Sequence, residues 1–170
     1  SKGNFWLALD HGLYWLQASV DEKEISQEKA KGKYILKNIY INHIQFVGQK
    51  LLVGTSKDVY QYSLVSLKME KKLNGFSVVS SYHDRVAHQI WLGTFHQGVL
   101  VLDDRTWNPV SMVDFGSLSK IPQIPVRSII PYKNDALLMA VDGAGIYAFD
   151  RVSKQTHLIL DTEGRPGSVL

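Results

Sequence analysis

Apolar residues in this chain fall into short runs that occur in pairs, with a brief polar turn between the two runs. Four such pairs occur, at residues 5–16, 51–62, 90–103 and 137–150, and each turn contains Gly or Asp. The runs are rich in β-branched and aromatic residues, which predicts β-strands. Continuous apolar runs, such as 99–102, predict strands that are buried on both faces.

The residue that opens the second run of each pair marks a repeat. These residues are Gly12, Asp58, Gly98 and Gly145, spaced by 46, 40 and 47 positions. A period of about 40–47 residues with four strands per unit is typical of β-propeller blades. Helical repeats of similar length need a 3.6-residue apolar period, which these runs lack.

Further apolar runs flank the pairs, so each unit is predicted to be an antiparallel sheet of strands A to D, with the pair forming B and C. Strand A is predicted at 43–47, 77–82 and 126–131, and the first unit lacks it. Strand D is predicted at 34–40, 69–73, 110–115 and 156–160. We expect an all-β fold, a β-propeller segment of about four blades. The blades lie at about 4–41, 42–75, 76–118 and 119–162, and residues 163–170 enter a next blade.

Two segments between strands are predicted to be loops. Residues 21–33 hold four acids and four lysines, and a solvated loop is favoured there over a partner-binding arm. Residues 117–125 contain two prolines, so we expect an extended connection between the third and fourth blades.

Composition excludes several classes of function. The chain has 170 residues, 45% of them apolar, a net charge of +3 and no cysteine. It therefore has no thiol chemistry or zinc–thiolate site. The weak, dispersed charge does not favour nucleic acid as a partner. No apolar run approaches the ~20 residues that cross a bilayer, so any membrane attachment is expected only through a longer parent chain.

Catalytic and metal motifs are also missing from the sequence. The six histidines do not show metal-ligand spacing, and no cofactor or metal is expected. Ser80, Ser81, His83 and Asp84 are close in sequence, but neighbours on a strand point to opposite faces and cannot all converge. The glycine pair Gly143 and Gly145 lies in a strand-to-strand turn and not before a helix, so a phosphate site is not predicted.

The third pair resembles a known repeat. It reads Ile-Trp-Leu-Gly-Thr at 90–94 and Gly-Val-Leu-Val-Leu-Asp at 98–103. This pattern resembles the regulator-propeller repeat found in the sensor region of hybrid two-component regulators and related kinases and cyclases. The second pair keeps Gly-Thr at 54–55 but has Asp58 in place of Gly. The first and fourth pairs keep the turn glycines but have Ala-Leu at 8–9 and Ala-Val at 140–141 in place of Gly-Thr.

The motif residues have structural explanations. Gly54 and Gly93 would let a neighbouring blade or the central channel approach the backbone closely. Trp6 and Trp91 are expected to pack between blades, and stacking on a sugar is the less favoured alternative.

Ligand contacts in propellers usually come from loops at one end of the central channel, where the B-to-C turns cluster. These turns combine aromatic, imidazole, amide and carboxylate groups, as a polar ligand site would. The candidate ligand-binding residues are His11, Asp58, Phe95, His96, Gln97 and Asp142.

The resemblance implies a non-catalytic, periplasmic sensor segment that detects a nutrient such as an oligosaccharide and signals to a histidine kinase. A protein–protein interaction scaffold is the alternative. An enzyme is disfavoured because no catalytic constellation can be named.

The repeat count also bears on assembly. Propellers close with roughly four to eight blades, and this repeat type usually builds larger rings. We therefore expect an open arc that forms at least a homodimer, with residues 168–170 pairing beside the first blade.

Overall fold

The structure is a computed structural model that describes residues 2–19, 31–113, 124–133 and 135–167. Within these residues every regular element is a β-strand. The first two sheets are meanders of antiparallel strands, three in the first sheet and four in the second. Their strands are β1 (Lys2–Leu9), β2 (Gly12–Ser19), β3 (Lys31–Lys37), β4 (Ile41–Val47), β5 (Lys50–Thr55), β6 (Asp58–Ser63) and β7 (Met69–Asn74).

The third and fourth sheets repeat the four-stranded meander. Their strands are β8 (Val78–Asp84), β9 (Gln89–Thr94), β10 (Val99–Asp103), β11 (Pro109–Val113), β12 (Val126–Tyr132), β13 (Ala136–Val141), β14 (Gly145–Asp150) and β15 (Thr156–Leu160). The predicted all-β fold class is confirmed, and the described part of the first sheet has no strand A.

Most strand bounds lie within two residues of their predictions, and the largest difference is in the first unit. The fourth strand of the first unit was expected at 34–40, whereas β3 spans Lys31–Lys37. Asn38 ends it by adopting a positive φ of 58°, and its N–H donates to the carbonyl of His11. Asn tolerates this left-handed conformation better than most residues. The rest of the predicted loop at 21–33, most of the connection at 117–125, and residues 168–170 lie outside the described residues.

Three apolar cores hold the sheets together, one at each seam, where a seam is the contact between two consecutive sheets. Leu13 and Leu51 belong to the core of seam 1–2, Leu100 and Trp107 to that of seam 2–3, and Trp91 to that of seam 3–4. No core cluster of described residues joins the first sheet to the fourth, so the sheets form an open series.

The glycines of the Gly-Thr motif explain the close packing at two seams. A Cβ on Gly54 would lie 2.8 Å from the carbonyl oxygen of Val78, which opens the next sheet. A Cβ on Gly93 would collide with the carbonyl oxygen of Val126 and with Ser80 Oγ. Both glycines therefore make room for the inner strand of the following sheet, as predicted.

Candidate functional site

The threonines of the motif shape the B-to-C turns. Thr55 Oγ1 donates to the carbonyl of Asp58 at 2.9 Å and accepts from the Asp58 N–H at 3.0 Å. Thr94 Oγ1 donates to the carbonyl of Gly98 at 2.9 Å and accepts from the Gln97 N–H at 2.8 Å. Each buried hydroxyl thus closes its own turn, so the side chains at the tip have a defined frame.

The turns of the third and fourth sheets are linked by an arginine. The guanidinium of Arg127 lies 5.7 Å from the ring centroid of Phe95, and the Phe95 ring meets that of His96 edge-on at 4.8 Å. Arg127 also donates to Asp142 Oδ2 from Nε at 3.1 Å and from Nη2 at 2.9 Å. Phe95, His96, Arg127 and Asp142 form what we call the turn cluster.

Arg127 was not among the predicted site residues. It is the second residue of β12, and its neighbour Val126 pairs with Val141 at the end of β13. The start of strand A therefore lies beside the B-to-C turn of the same sheet. Arg127 is the one charged residue of β12, and this was the signal that could have identified it.

The other predicted site residues, His11, Asp58 and Gln97, make no side-chain contact with the turn cluster among the described residues. Lys72 Nζ lies 2.9 Å from Asp58 Oδ2, and Asp58 also accepts from the Gly75 N–H and the Tyr60 hydroxyl. Burial raises the pKa of Asp58, but the hydrogen bonds and the charge of Lys72 outweigh it, so the net shift is downward. Asp58 is thus occupied in holding its own sheet together.

His11 and Gln97 are exposed, and their described hydrogen bonds are made by the backbone. Whether any of the six predicted residues binds a ligand remains a prediction.

The inner strands carry a second set of polar residues. Ser81 Oγ donates to Gln45 Oε1, and His43 Nε2 lies 2.6 Å from the same hydroxyl oxygen. A hydroxyl has one proton, and Ser81 donates it to Gln45. His43 Nε2 therefore donates to Ser81 Oγ and does not act as a base toward it. Burial lowers the pKa of His43 below its ordinary value.

The Ser–His–Asp grouping that the sequence disfavoured does not converge. Ser80 Oγ donates to the carbonyl of Val126 at 2.5 Å, whereas His83 Nε2 contacts Asp104 Oδ2 at 2.9 Å. Asp84 pairs with Arg151 of the next sheet. Burial raises the pKa of Asp84, but the backbone N–H groups of Ala87 and Val86 and the charge of Arg151 outweigh it and lower the pKa.

The described part of the chain shows neither a cluster of metal-ligating side chains nor a membrane-spanning helix. No group of three or more His, Asp or Glu side chains is placed there to hold a metal ion. None of its elements is a helix with the length and apolar character to span a membrane.

Solved structures similar to this chain share its arrangement of sheets. The extracellular domain of BT4673 from B. thetaiotaomicron, named as a hybrid two-component system in one structure and a one-component system in another, matches with TM-scores of 0.68 and 0.69. The two identities are 17% and 18%, over 98% of this chain. The computationally designed Ika8 protein matches with a TM-score of 0.59 at 11% identity over 96% of this chain.

The fold is that of a β-propeller segment. The segment spans 22% of the length of the BT4673 chain and 50% of the Ika8 chain. No family model and no curated protein matches its sequence.

Proposed function

We propose that this propeller segment is a non-catalytic part of the periplasmic input region of a hybrid two-component regulator. In this role the parent protein senses a nutrient ligand such as an oligosaccharide and signals to a histidine kinase. The observation that carries the proposal is the match to the extracellular domain of a hybrid two-component system over 98% of the chain. The regulator-propeller pattern at 90–103 supports it independently.

The turn cluster is the ligand contact that we propose within this segment. It combines an aromatic ring, an imidazole, a guanidinium and a carboxylate, which are groups suited to the hydroxyls and apolar faces of a sugar. Arg127 and Asp142 are each about half exposed, so both remain accessible while paired.

Isothermal titration of the segment and of the intact sensor region against a panel of plant and host glycans tests this function. We expect one glycan to bind and Arg127→Gln to weaken its binding, while Arg105→Gln, an exposed arginine outside the cluster, serves as the matched control. Silence of both proteins toward the whole panel would overturn the oligosaccharide proposal. Binding that Arg127→Gln and Arg105→Gln affect equally would exclude the turn cluster as the site.

A protein-interaction role is the second candidate, and an exposed apolar face favours it. Phe5, Leu7 and Leu9 alternate along β1 and are 37%, 41% and 38% exposed. Residues that alternate in a strand share one face, and Trp6 packs on the opposite face against the core of seam 1–2. This stripe lies on the face of the first sheet that no described sheet covers.

The occupant that we propose for this stripe is a second copy of the chain. Ile130 is exposed on the side of β12 opposite Ile129, which packs in the core of seam 3–4, and the segment spans half of the Ika8 chain. Two copies would therefore hold about as many sheets as that chain.

Light scattering at micromolar concentration is expected to show a dimer that Leu7→Lys dissociates. Val65→Lys, at an isolated exposed position, should leave the dimer intact. A monomeric wild-type segment would overturn the homodimer, and a pull-down with the intact parent would then show whether another protein docks instead.

A further inference from the structure

The outer ends of the seams carry a turn that occurs three times with different side chains. Leu67, Trp107 and Lys154 occupy the same position in the C-to-D turns of the second, third and fourth sheets. Their φ angles are 57°, 58° and 62°. Each N–H donates to the carbonyl four residues earlier, at 3.0, 2.8 and 2.9 Å. Since the backbone is the same, the side chain at this position decides what occupies the seam beside it.

In the third sheet the turn residue fills seam 2–3. Trp107 is only 2% exposed and belongs to the core between the second and third sheets. With the Gln61 amide oxygen turned toward it, the Trp107 indole N–H donates to that oxygen at 3.1 Å. The ring is thus buried and its single donor is satisfied.

In the fourth sheet Lys154 leaves the corresponding place in seam 3–4 open. A groove of about 370 Å³ lies there. We call it the outer groove. The described residues that line it are Gln89, Trp91, Ser111, Met112, Val113, Phe149 and Lys154. Its walls come from both sheets, so the groove is a feature of their packing and not of a single loop.

The lining of the outer groove favours a particular chemistry. Trp91 is buried, and its indole N–H, which can only donate, has no acceptor among the described residues. Lys154 adds an ammonium group, and no described lining residue is a carboxylate. The rings of Trp91 and Phe149 lie 5.4 Å apart at 57°. Trp91 and Phe149 are only 4% and 3% exposed, so their edges form the base of the groove, and the exposed ammonium group of Lys154 supplies its positive charge.

We propose that the outer groove binds a small carboxylate-bearing molecule with a flat apolar ring face. The ring would lie against the edges of Trp91 and Phe149 that reach the groove, and the carboxylate would face Lys154. Both aromatic acids and uronic acids have this chemistry. The site lies away from the turn cluster and goes beyond the proposed sensing function, so either can fail without the other.

Nuclear magnetic resonance of the indole groups tests the proposal on the segment itself. The chain has four tryptophans, and Trp91→Phe assigns the Trp91 signal. Titration with benzoate and with D-galacturonate, and with D-glucose as the neutral probe, is followed by ¹H–¹⁵N spectra. We expect saturable movement of the Trp91 indole signal with one of the two acids. The Trp107 signal is expected to stay in place, because its donor is already paired.

Two substitutions in the same turn provide the matched control. Lys154→Trp places in seam 3–4 the side chain that fills seam 2–3, and it is expected to abolish saturable binding. Val152→Trp adds the same ring at a position that is 78% exposed and should bind as the wild type does. Lys154→Gln should weaken binding by up to about fivefold, the upper limit for an exposed charge pair.

The outcomes separate clearly. Binding of galacturonate alone identifies a uronic acid as the source of the carboxylate, and binding of benzoate alone identifies an aromatic acid. A Trp91 signal that none of the probes moves would overturn the proposal. Equal loss of binding in Lys154→Trp and Val152→Trp, or glucose binding as tightly as the acids, would do the same.

Discussion

Seams 2–3 and 3–4 are built on the same backbone and differ in how completely they are filled. In both, a motif glycine admits the inner strand of the next sheet, and an aspartate shapes the outer turn by accepting hydrogen bonds from backbone N–H groups. Seam 2–3 is closed at its outer end by Trp107, whereas seam 3–4 presents Lys154 and a groove. The repeated units therefore share the same backbone. The side chain at a single turn position decides whether the seam is filled or leaves a groove.

The largest expected effect tests the filled seam. Trp107→Ala removes a buried ring and leaves a cavity, which should lower the free energy of unfolding by about 3–5 kcal/mol. Lys154→Ala, at the matching exposed position, should change it by less than about 0.5 kcal/mol. Urea unfolding followed by circular dichroism measures both, and similar losses would contradict the difference between the seams.

The ion pair of seam 3–4 comes next. Asp84 and Arg151 join the third and fourth sheets, and Asp84→Asn leaves the largely buried guanidinium unpaired, at a cost of about 3 kcal/mol. The folded pKa of Asp84 is lowered, so its contribution is present above the unfolded value of about 4 and is lost as the pH falls through the folded pKa. Urea unfolding at pH 7 and pH 3 should show that the difference in free energy of unfolding between the wild type and Asp84→Asn is smaller at pH 3. A difference that is the same at both pH values would contradict this account.

Alanine at the motif glycines should cost less, since a single methyl is added. Overpacking typically costs about 1–3 kcal/mol, and we expect Gly93→Ala near the top of that range and Gly54→Ala near the bottom. The reason is the closer approach of Val126 and Ser80 to Gly93 than of Val78 to Gly54. Thermal unfolding of both variants ranks them, and the reverse order would show that the sheets shift to accommodate the methyl.

His43, at the inner end of seam 2–3, should make stability depend on pH. Burial lowers its folded pKa, so below about pH 6.5 the unfolded chain takes up a proton that the folded chain does not. Stability contributed by neutral His43 is full above that pH and falls as the pH drops toward the folded pKa. We expect the free energy of unfolding to fall between pH 7 and pH 5, and His43→Gln to remove that loss. An identical pH profile in the variant would rule out this role.

The smallest expected effect concerns the turn cluster. Arg127→Gln breaks an exposed ion pair with Asp142 and should change the free energy of unfolding by less than about 1 kcal/mol. A larger loss, measured by urea unfolding, would mean that Arg127 holds seam 3–4 together and is not free to serve a ligand.

Much of the fold followed from local patterns. The paired apolar runs and the turn residues predicted the strand pairs, and the last strand was placed at 156–160, where β15 lies. The end of β3 was misplaced because Asn38 and its hydrogen bond to His11 decide it, and neither changes the apolar pattern. Of the six predicted site residues, the structure brings Phe95, His96 and Asp142 together through Arg127, which only the pairing of β12 with β13 places beside them.

The sequence by itself determined the period, the strands and the closures of the turns, because these depend on residues close together in the chain. The tertiary structure alone decided what fills each seam. Trp91 and Trp107 are both buried, yet the Trp107 indole donor is paired with Gln61 of the neighbouring sheet, whereas the Trp91 indole donor has no acceptor among the described residues. Packing between sheets is a long-range property, and a repeat that is nearly regular along the chain can therefore still produce one seam unlike the others.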